Sequence, residues 1–274
     1  MIDNAGSIYI RNGSLEAAES MEEVDAQKFK VVYEVVRIMD RVALYLEDHY
    51  ARLERSLAML GLAPALSCEE LKGQIRRLID ANDLQNCNVK LIMYQQEEQQ
   101  NYMLYISKSY YPSAEEIRTG VPTSLFQWVR HDPNAKVVNQ KYKEEVSRRM
   151  KETGAFELLL VNEEGKITEG SKSNAFFIKD SKAYTSPGHL VLKGITRQYI
   201  MEACKRVGVE VVEELTGVEE LEDLDGLFIS GTSIKVLPIS SVDDRKFSSS
   251  TNPTLVAIRD EFDRMIEEYI NSHQ

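Results

Sequence analysis

The sequence predicts an α+β protein of two domains, and three observations carry that expectation. Apolar runs of strand length stand in groups, separated by stretches of helical periodicity. At 274 residues the chain is long enough for one large domain or two small ones. The stretch 112–122, with Pro112, Gly120 and Pro122, interrupts the pattern. The expected division is an α+β domain over 1–111, a linker over 112–122 and a second α+β domain over 123–274.

Taken in order, Ile8-Tyr-Ile10 before Asn12-Gly13 reads as a strand and turn. Tyr33 to Ile38 reads as a strand, Asp40-Arg41 as a turn, and Val42 to Leu46 as the returning arm of a hairpin. A helix follows over Glu47–Leu60 and stops at Gly61. Ser67 caps a second helix, Glu69–Asn82, and Glu70 completes a capping box. Val89–Met93 and Tyr102–Ile106 are further strands, joined by the polar stretch Gln95–Asn101. Past the linker, Ser124–Val129 is apolar, Asp132-Pro133 turns, and a helix runs from Asn139 to Lys151. Leu158–Val161 and Ile167–Glu169 flank a hairpin turn at Asn162–Gly165. Asn174–Ile178 and Leu227–Ile229 are strands. Pro253 opens an amphipathic terminal helix with Leu255, Ile258, Phe262, Met265, Ile266 and Tyr269 on one stripe.

Composition narrows the function. The formal charge is −11, from 33 basic and 44 acidic residues, which disfavours nucleic acid and acidic membranes as partners. No apolar run approaches the roughly 18 residues of a membrane span. The start of the chain, with Asp3, lacks the charged-then-apolar pattern of a secretory signal. Cys68, Cys87 and Cys204 are odd in number, scattered and without metal-ligand spacing. A reduced, cytoplasmic protein with no metal site is expected.

Two local features point to chemistry. Gly194-Ile-Thr196 opens a helix that runs to about Arg206, before Gly208. Free backbone N–H groups at such a helix start form an anion site, and phosphate is a frequent guest. The plain alternative is a threonine-capped helix without a ligand. Glu169 stands where a strand breaks into the small-residue loop Gly170-Ser-Lys-Ser173, a setting that often carries function. A solvated edge glutamate is the alternative there.

Several ordered blocks join these features. They are Lys136-Val-Val-Asn139, Glu157, Glu169-Gly-Ser-Lys-Ser-Asn174-Ala-Phe176, Tyr184-Thr185, Leu192-Lys-Gly-Ile-Thr-Arg197 and Phe228-Ile-Ser-Gly-Thr-Ser233. Together they resemble the class IV aminotransferases. These pyridoxal-phosphate enzymes include D-amino acid and branched-chain aminotransferases and aminodeoxychorismate lyase. The resemblance runs from about Tyr33 to Pro238. It implies the two-domain D-amino acid aminotransferase-like fold (type IV of the pyridoxal-phosphate enzymes), with pyridoxal 5'-phosphate between the domains, and a homodimer. It implies ping-pong transfer of an amino group between an amino acid and a 2-oxo acid. A lyase such as aminodeoxychorismate lyase, and a non-catalytic cofactor-binding protein, are alternative readings of the same residues.

The resemblance also assigns roles. Lys136, opening Lys-x-x-Asn, is the catalytic amine that joins the cofactor and moves the substrate's α-proton; Lys141 is its rival. Glu169 faces the ring nitrogen and favours its protonated form. Asn174 either bonds near the cofactor or holds the loop. The backbone of Ile195 and Thr196, the Gly231-Thr232 loop and Arg52 hold the phosphate. Arg52 lies in His49-Tyr-Ala-Arg52-Leu53, and a guanidinium suits phosphate. Tyr33 and Ser233 fall on the substrate side. Two departures also touch that side. The family's glycine-containing motifs before Tyr-Glu are missing from Asp25–Val32. The strand Val89–Gln96 offers Lys90, Gln95 and Gln96 where an arginine is common.

Overall fold

The computed structural model describes residues 3–26, 28–130, 134 and 136–274. The turn expected at Asp132-Pro133 lies outside them. The chain forms two compact units, and each combines helices with sheet. The first comprises Met1–Tyr110, Ala135–Gln140 and Glu268–Gln274, the second Tyr111–Asn134 and Lys141–Glu267.

The first unit contains β1 (Ile8–Arg11), β2 (Ser14–Ala17), β3 (Val31–Met39), β4 (Val42–Ala43), α1 (Leu46–Met59), α2 (Cys68–Ala81), β5 (Cys87–Gln96) and β6 (Gln99–Ile106). The strands form one sheet in the order β2-β1-β6-β5-β3-β4. Val32, Val36, Ile38, Val89 and Leu91 from one sheet face share a core with Leu53, Leu57, Leu71, Ile75 and Leu78 of the two helices. Side chains alternate along a strand, so Tyr33 and Val35 project from the other face. The Ser67–Glu70 capping box at the start of α2 is present.

Two expectations need correction here. The hairpin arm over Val42–Leu46 ends after two residues, because Tyr45 takes a left-handed φ of 53° and α1 starts at Leu46. The polar stretch Gln95–Asn101 is strand on both sides of a tight turn at Glu97 (φ 56°). Cross-strand partners sustain it, with Gln95 opposite Gln100 and Gln96 opposite Gln99.

Because β4 is so short, the outer edge of β3 is left for another segment. Residues 136–138 take it. Tyr33 N–H donates to Lys136 O at 3.1 Å, Val138 N–H donates to Val31 O at 3.2 Å, and Val137 bridges Val32 in antiparallel fashion. Lys136 was expected in the domain 123–274, yet these ladder bonds make it part of the first unit.

The second unit contains α3 (Ala114–Thr119), β7 (Val121–Gln127), α4 (Gln140–Thr153), β8 (Glu157–Val161), β9 (Lys166–Gly170), β10 (Asn174–Lys179), β11 (Lys182–Thr185), α5 (Ile195–Arg206), β12 (Val211–Glu213), β13 (Thr216–Gly217), β14 (Gly226–Gly231), β15 (Lys235–Val242), β16 (Arg245–Lys246) and most of α6 (Pro253–His273). Its main strand path is β12-β11-β10-β14-β15-β7-β8-β9-β13, and β16 pairs with β15. The core joins Val121, Leu159, Ile167, Phe177, Leu227, Leu237 and Ile239. The stretch 112–122, expected as a linker, is instead built into this unit. Ser113 and Glu116 cap α3 reciprocally, and Val121 is buried at the start of β7.

Gly120 joins α3 to β7 with φ +78°, and a Cβ there would lie 2.9 Å from Ser240 N. Gly61 has a similar φ of +73° but nothing within 4 Å. Gly120→Ala is therefore expected to destabilise the protein by more than about 1 kcal/mol, and by more than Gly61→Ala does. Thermal denaturation of the two variants checks this. Equal losses would mean that crowding against β15 contributes nothing.

Candidate active site

Each unit brings its own set of predicted residues together. In the first, β3 and α1 build a buried charge cluster. Glu34 follows Tyr33 and so points to the helix-covered face, where it is 1% exposed. His49 and Arg52 lie three residues apart on α1 and share the facing side. Arg52 Nε donates to Glu34 Oε1 at 2.8 Å and its Nη2 to Oε2 at 2.7 Å. His49 Nδ1 lies 2.9 Å from Oε2. Burial alone would raise the Glu34 pKa, but the Arg52 guanidinium outweighs it and holds the carboxyl well below the usual range. For His49, burial outweighs the Glu34 carboxylate and lowers the pKa below the ordinary 6.5. The imidazole is thus neutral at pH 7 and donates a hydrogen bond from Nδ1–H to the Glu34 carboxylate. Arg52 is buried and held in a bidentate clamp, quite unlike a solvated helix arginine.

Lys136 adjoins this cluster. Its N–H donates to Ser56 Oγ at 3.3 Å, one turn along α1 from Arg52. Its Nζ lies over the Tyr33 ring, 4.8 Å from the centroid. Lys136 is half-buried, whereas its rival Lys141 is exposed on α4. Among the substitutes for the missing arginine, Lys90 lies beside Tyr33, with Nζ 5.5 Å from the ring centroid. Gln95 bonds the turn at Glu97 O instead, and Gln96 is exposed.

In the second unit, Glu169 near the end of β9 is 3% exposed, which excludes a solvated edge residue. Its Oε1 accepts from Arg130 Nη1 at 2.9 Å and its Oε2 from Leu192 N–H at 3.2 Å. The Arg130 guanidinium lies 6.0 Å from the Tyr142 ring centroid, and Tyr142 Oη donates to Ser171 O at 2.8 Å. Glu157 organises the following loop from below. Its carboxylate accepts from Lys172 N–H at 3.2 Å, from Ser173 Oγ at 3.1 Å and from Ser171 Oγ.

Asn174 donates its amide to Leu192 O at 2.9 Å. A Cβ on Gly194 would lie 2.2 Å from Asn174 Oδ1, so glycine is the residue that lets this turn approach. The contact sets the start of α5. Gly194, not Thr196, is the N-cap, and no side chain caps the helix. Ile195 is buried and Thr196 half-buried in that first turn. The register of β10 with β14 sets Asn174 opposite Ser230, next to Gly231, Thr232 and Ser233. Ser230 Oγ is buried without a hydrogen-bond partner among the described residues. A Cβ on Gly231 would have 3.6 Å of clearance, so the chain's own packing leaves room there.

The donor set fits a phosphorylated pyridine. An uncapped helix start and an orphaned hydroxyl suit an anion, and a buried carboxylate suits a ring N–H. Sequence reasoning missed Arg130, Glu34, Tyr142 and Ser230. Glu34 sat beside a chosen residue, and Arg130 stands shortly before Lys136. Neither carries a spacing signal. Among the described residues no group of three or more His, Cys, Asp or Glu is placed to hold a metal ion, and no helix is long and apolar enough to cross a membrane.

Comparison with known proteins follows the same lines. The family model described as Amino-transferase class IV matches residues 31–242. D-alanine aminotransferase of Bacillus licheniformis is 29% identical over 247 residues, covering 85% of this chain and 86% of its own. A probable branched-chain-amino-acid aminotransferase of Rickettsia conorii is 28% identical over 251 residues, covering 86% and 87%. The crystal structure of Escherichia coli branched-chain amino acid aminotransferase superposes with a TM-score of 0.86 at 23% identity, covering 95% of each chain.

The His49 environment generates a pH prediction. The unfolded chain takes a proton on His49 as pH falls through about 6.5, and the folded chain refuses it. Stability should therefore decline as pH drops from about 6.5 towards 5. His49→Gln is expected to flatten that part of the curve, read from urea midpoints at a series of pH values. An unchanged slope would remove His49 as the cause.

Proposed function

The chain belongs to the class IV aminotransferase family, and on that premise we propose how its residues move an amino group between an amino acid and a 2-oxo acid. The observation that carries the reading is Lys136, a half-buried lysine fixed by backbone pairing and held over Tyr33. The relatives above are aminotransferases, which favours amino transfer over the lyase and non-catalytic readings.

Pyridoxal 5'-phosphate supplies, when bound, an aldehyde that reacts with amines and a ring that accepts the electron pair of the substrate α-carbon. Lys136 Nζ takes the α-proton and returns it, the general acid–base work of the site. Its placement is fixed by the β3 ladder and Ser56, so the amine is oriented before substrate arrives. Glu169 would hold the pyridine ring by accepting a hydrogen bond from its nitrogen, and its negative charge would favour the protonated ring. Arg130 shares the carboxylate and holds it in place. The backbone N–H groups of Ile195 and Thr196, with Gly231 and Thr232, would hold the phosphate at the positive end of α5. Asn174 holds that helix start in position. Arg52, clamped by Glu34, supplies positive charge and anchors α1 beside Lys136. Tyr33 and Ser233 line the substrate side. The reading extends to a homodimer, supported by the family resemblance alone, and to the cytoplasm, supported by the three scattered cysteines.

Lys136→Ala is expected to abolish turnover and the visible absorption band of the bound cofactor, while Lys141→Ala retains both. Absorption spectra of the purified variants check this, and a normal band in Lys136→Ala would refute the assignment. Glu169→Gln keeps the size of the side chain but removes its charge. It is expected to retain the cofactor and to slow the half-reaction with an amino donor by roughly 100-fold, about 2.7 kcal/mol. Single-turnover mixing measures it, and a near wild-type rate would place Glu169 away from the ring nitrogen.

A further inference from the structure

On the sheet face that carries Tyr33, Lys90 has a charged partner from the start of the chain. Lys90 stands directly opposite Tyr105 in the β5–β6 register, and Tyr33 lies diagonally across on β3. Its Nζ is 5.6 Å from the Tyr105 ring centroid and 5.5 Å from that of Tyr33. Lys136 Nζ also lies over the Tyr33 ring, 4.8 Å from its centroid. Two lysine head groups therefore share one aromatic ring and lie no farther apart than their two ring distances combined.

The Lys90 side chain is only 12% exposed, and a cation so enclosed needs an anion. Asp3 provides it. Its Oδ1 and Oδ2 lie 3.1 and 3.0 Å from Lys90 Nζ, and Tyr105 Oη donates to Oδ1 at 2.7 Å. Burial would raise the Asp3 pKa, but the Lys90 charge and the Tyr105 hydrogen bond hold it below the ordinary value, so the carboxylate stays ionised. The backbone around Asp3 is fixed independently of this contact. Ala5 N–H donates to Ile106 O at 2.7 Å, Lys108 N–H donates to Asp3 O at 2.5 Å, and Asn4 bridges Ser107.

The two partners differ in how firmly they are held. Lys90 sits in mid-strand, paired on both sides, and its ammonium is packed against two rings. The Asp3 side chain is 42% exposed and short, so rotation about its first torsion carries it into water without breaking a backbone bond. We propose that Lys90 and Tyr105 form a carboxylate-binding subsite near Lys136, and that the chain's own Asp3 is a displaceable occupant that competes with a small-molecule carboxylate for it. The proposal rests on the aminotransferase reading only for its purpose. The substrates of that reaction carry carboxylates, and an internal competitor raises the concentration at which they bind. The occupied subsite itself is a property of the first unit alone.

The test is equilibrium binding by titration calorimetry of two non-reactive probes, butyrate and glutarate. Proteins are wild type, Asp3→Asn, Lys90→Met and the double variant. Asparagine preserves the size of Asp3 and can still accept from Tyr105, but it lacks the charge. Asp3→Asn is expected to tighten binding about tenfold relative to wild type, and the gain should vanish in the Lys90→Met background. A gain for glutarate alone places the subsite at the side-chain end of the substrate. A gain for butyrate as well places it at the α-carboxylate. Equal affinity of wild type and Asp3→Asn for both probes overturns the proposal and leaves Asp3 as a clamp on the N-terminal segment. A tenfold gain that persists without Lys90 overturns it too. Probe binding is read without turnover, so failure of the aminotransferase reading, seen as no cofactor band and no amino transfer, is distinguishable from failure here. Thermal midpoints of all four proteins identify any variant whose folding is altered.

Discussion

The backbone ladder along the outer edge of β3 decides where the Lys136 amine sits. A strand edge presents unpaired N–H and C=O groups, and β4 covers only the far end of this one. The bonds between Val31–Tyr33 and residues 136–138 satisfy the remainder. They place Lys136 beside the ring of Tyr33 and against Ser56, with no side chain of its own doing the positioning. A lysine has long, flexible torsions, so fixing its backbone on a sheet removes much of the freedom that would blur the site.

Buried charge is the second constraint. Glu34, Glu157 and Glu169 are each less than 5% exposed, and each is met by several donors. Glu34 answers to Arg52 and His49, Glu157 to two hydroxyls and the backbone N–H groups of Leu158 and Lys172, and Glu169 to Arg130 and a backbone N–H. Such groups are costly when any partner is removed. Each carboxylate also ties two segments: β3 to α1, β8 to the loop after β9, and β9 to the turn before α5. The cost of enclosure and the precision of the site arise from the same bonds.

Much of this was legible in the sequence where local physics governs. The α2 capping box, the hairpin glycine at Gly165 and the glycine stops at Gly61 and Gly208 depend on nearest neighbours, and each appears where the spacing puts it. The ordered blocks from Lys136 to Ser233 carried the family and so the fold. Non-local pairing was harder to read. Nothing within Lys136-Val-Val-Asn139 announces that it adds to a strand formed a hundred residues earlier. The glutamines of β5 and β6 have weak strand preference alone and become strand through each other. The stretch 112–122 looked like a break because prolines and a glycine mark turns, but those turns bracket a capped helix. Arg130 and Ser230 were invisible for the same reason, since their partners are distant in sequence.

The first unit is assembled from three stretches of chain, and the last of them has a bearing on biosynthesis. The Tyr269 ring packs at a tilt against that of Tyr45, with centroids 4.7 Å apart, and its hydroxyl donates to Glu47 Oε2 at 2.9 Å, at the very start of α1. On the ribosome, α1 emerges more than two hundred residues before that tyrosine. The nascent unit must therefore wait, with its β3 edge unpaired until residues 136–138 appear and its α1 start uncovered until Tyr269 does. During translation it has an exposed strand edge and an incomplete surface, the state in which chaperone binding or wrong pairing with another nascent chain is most favoured.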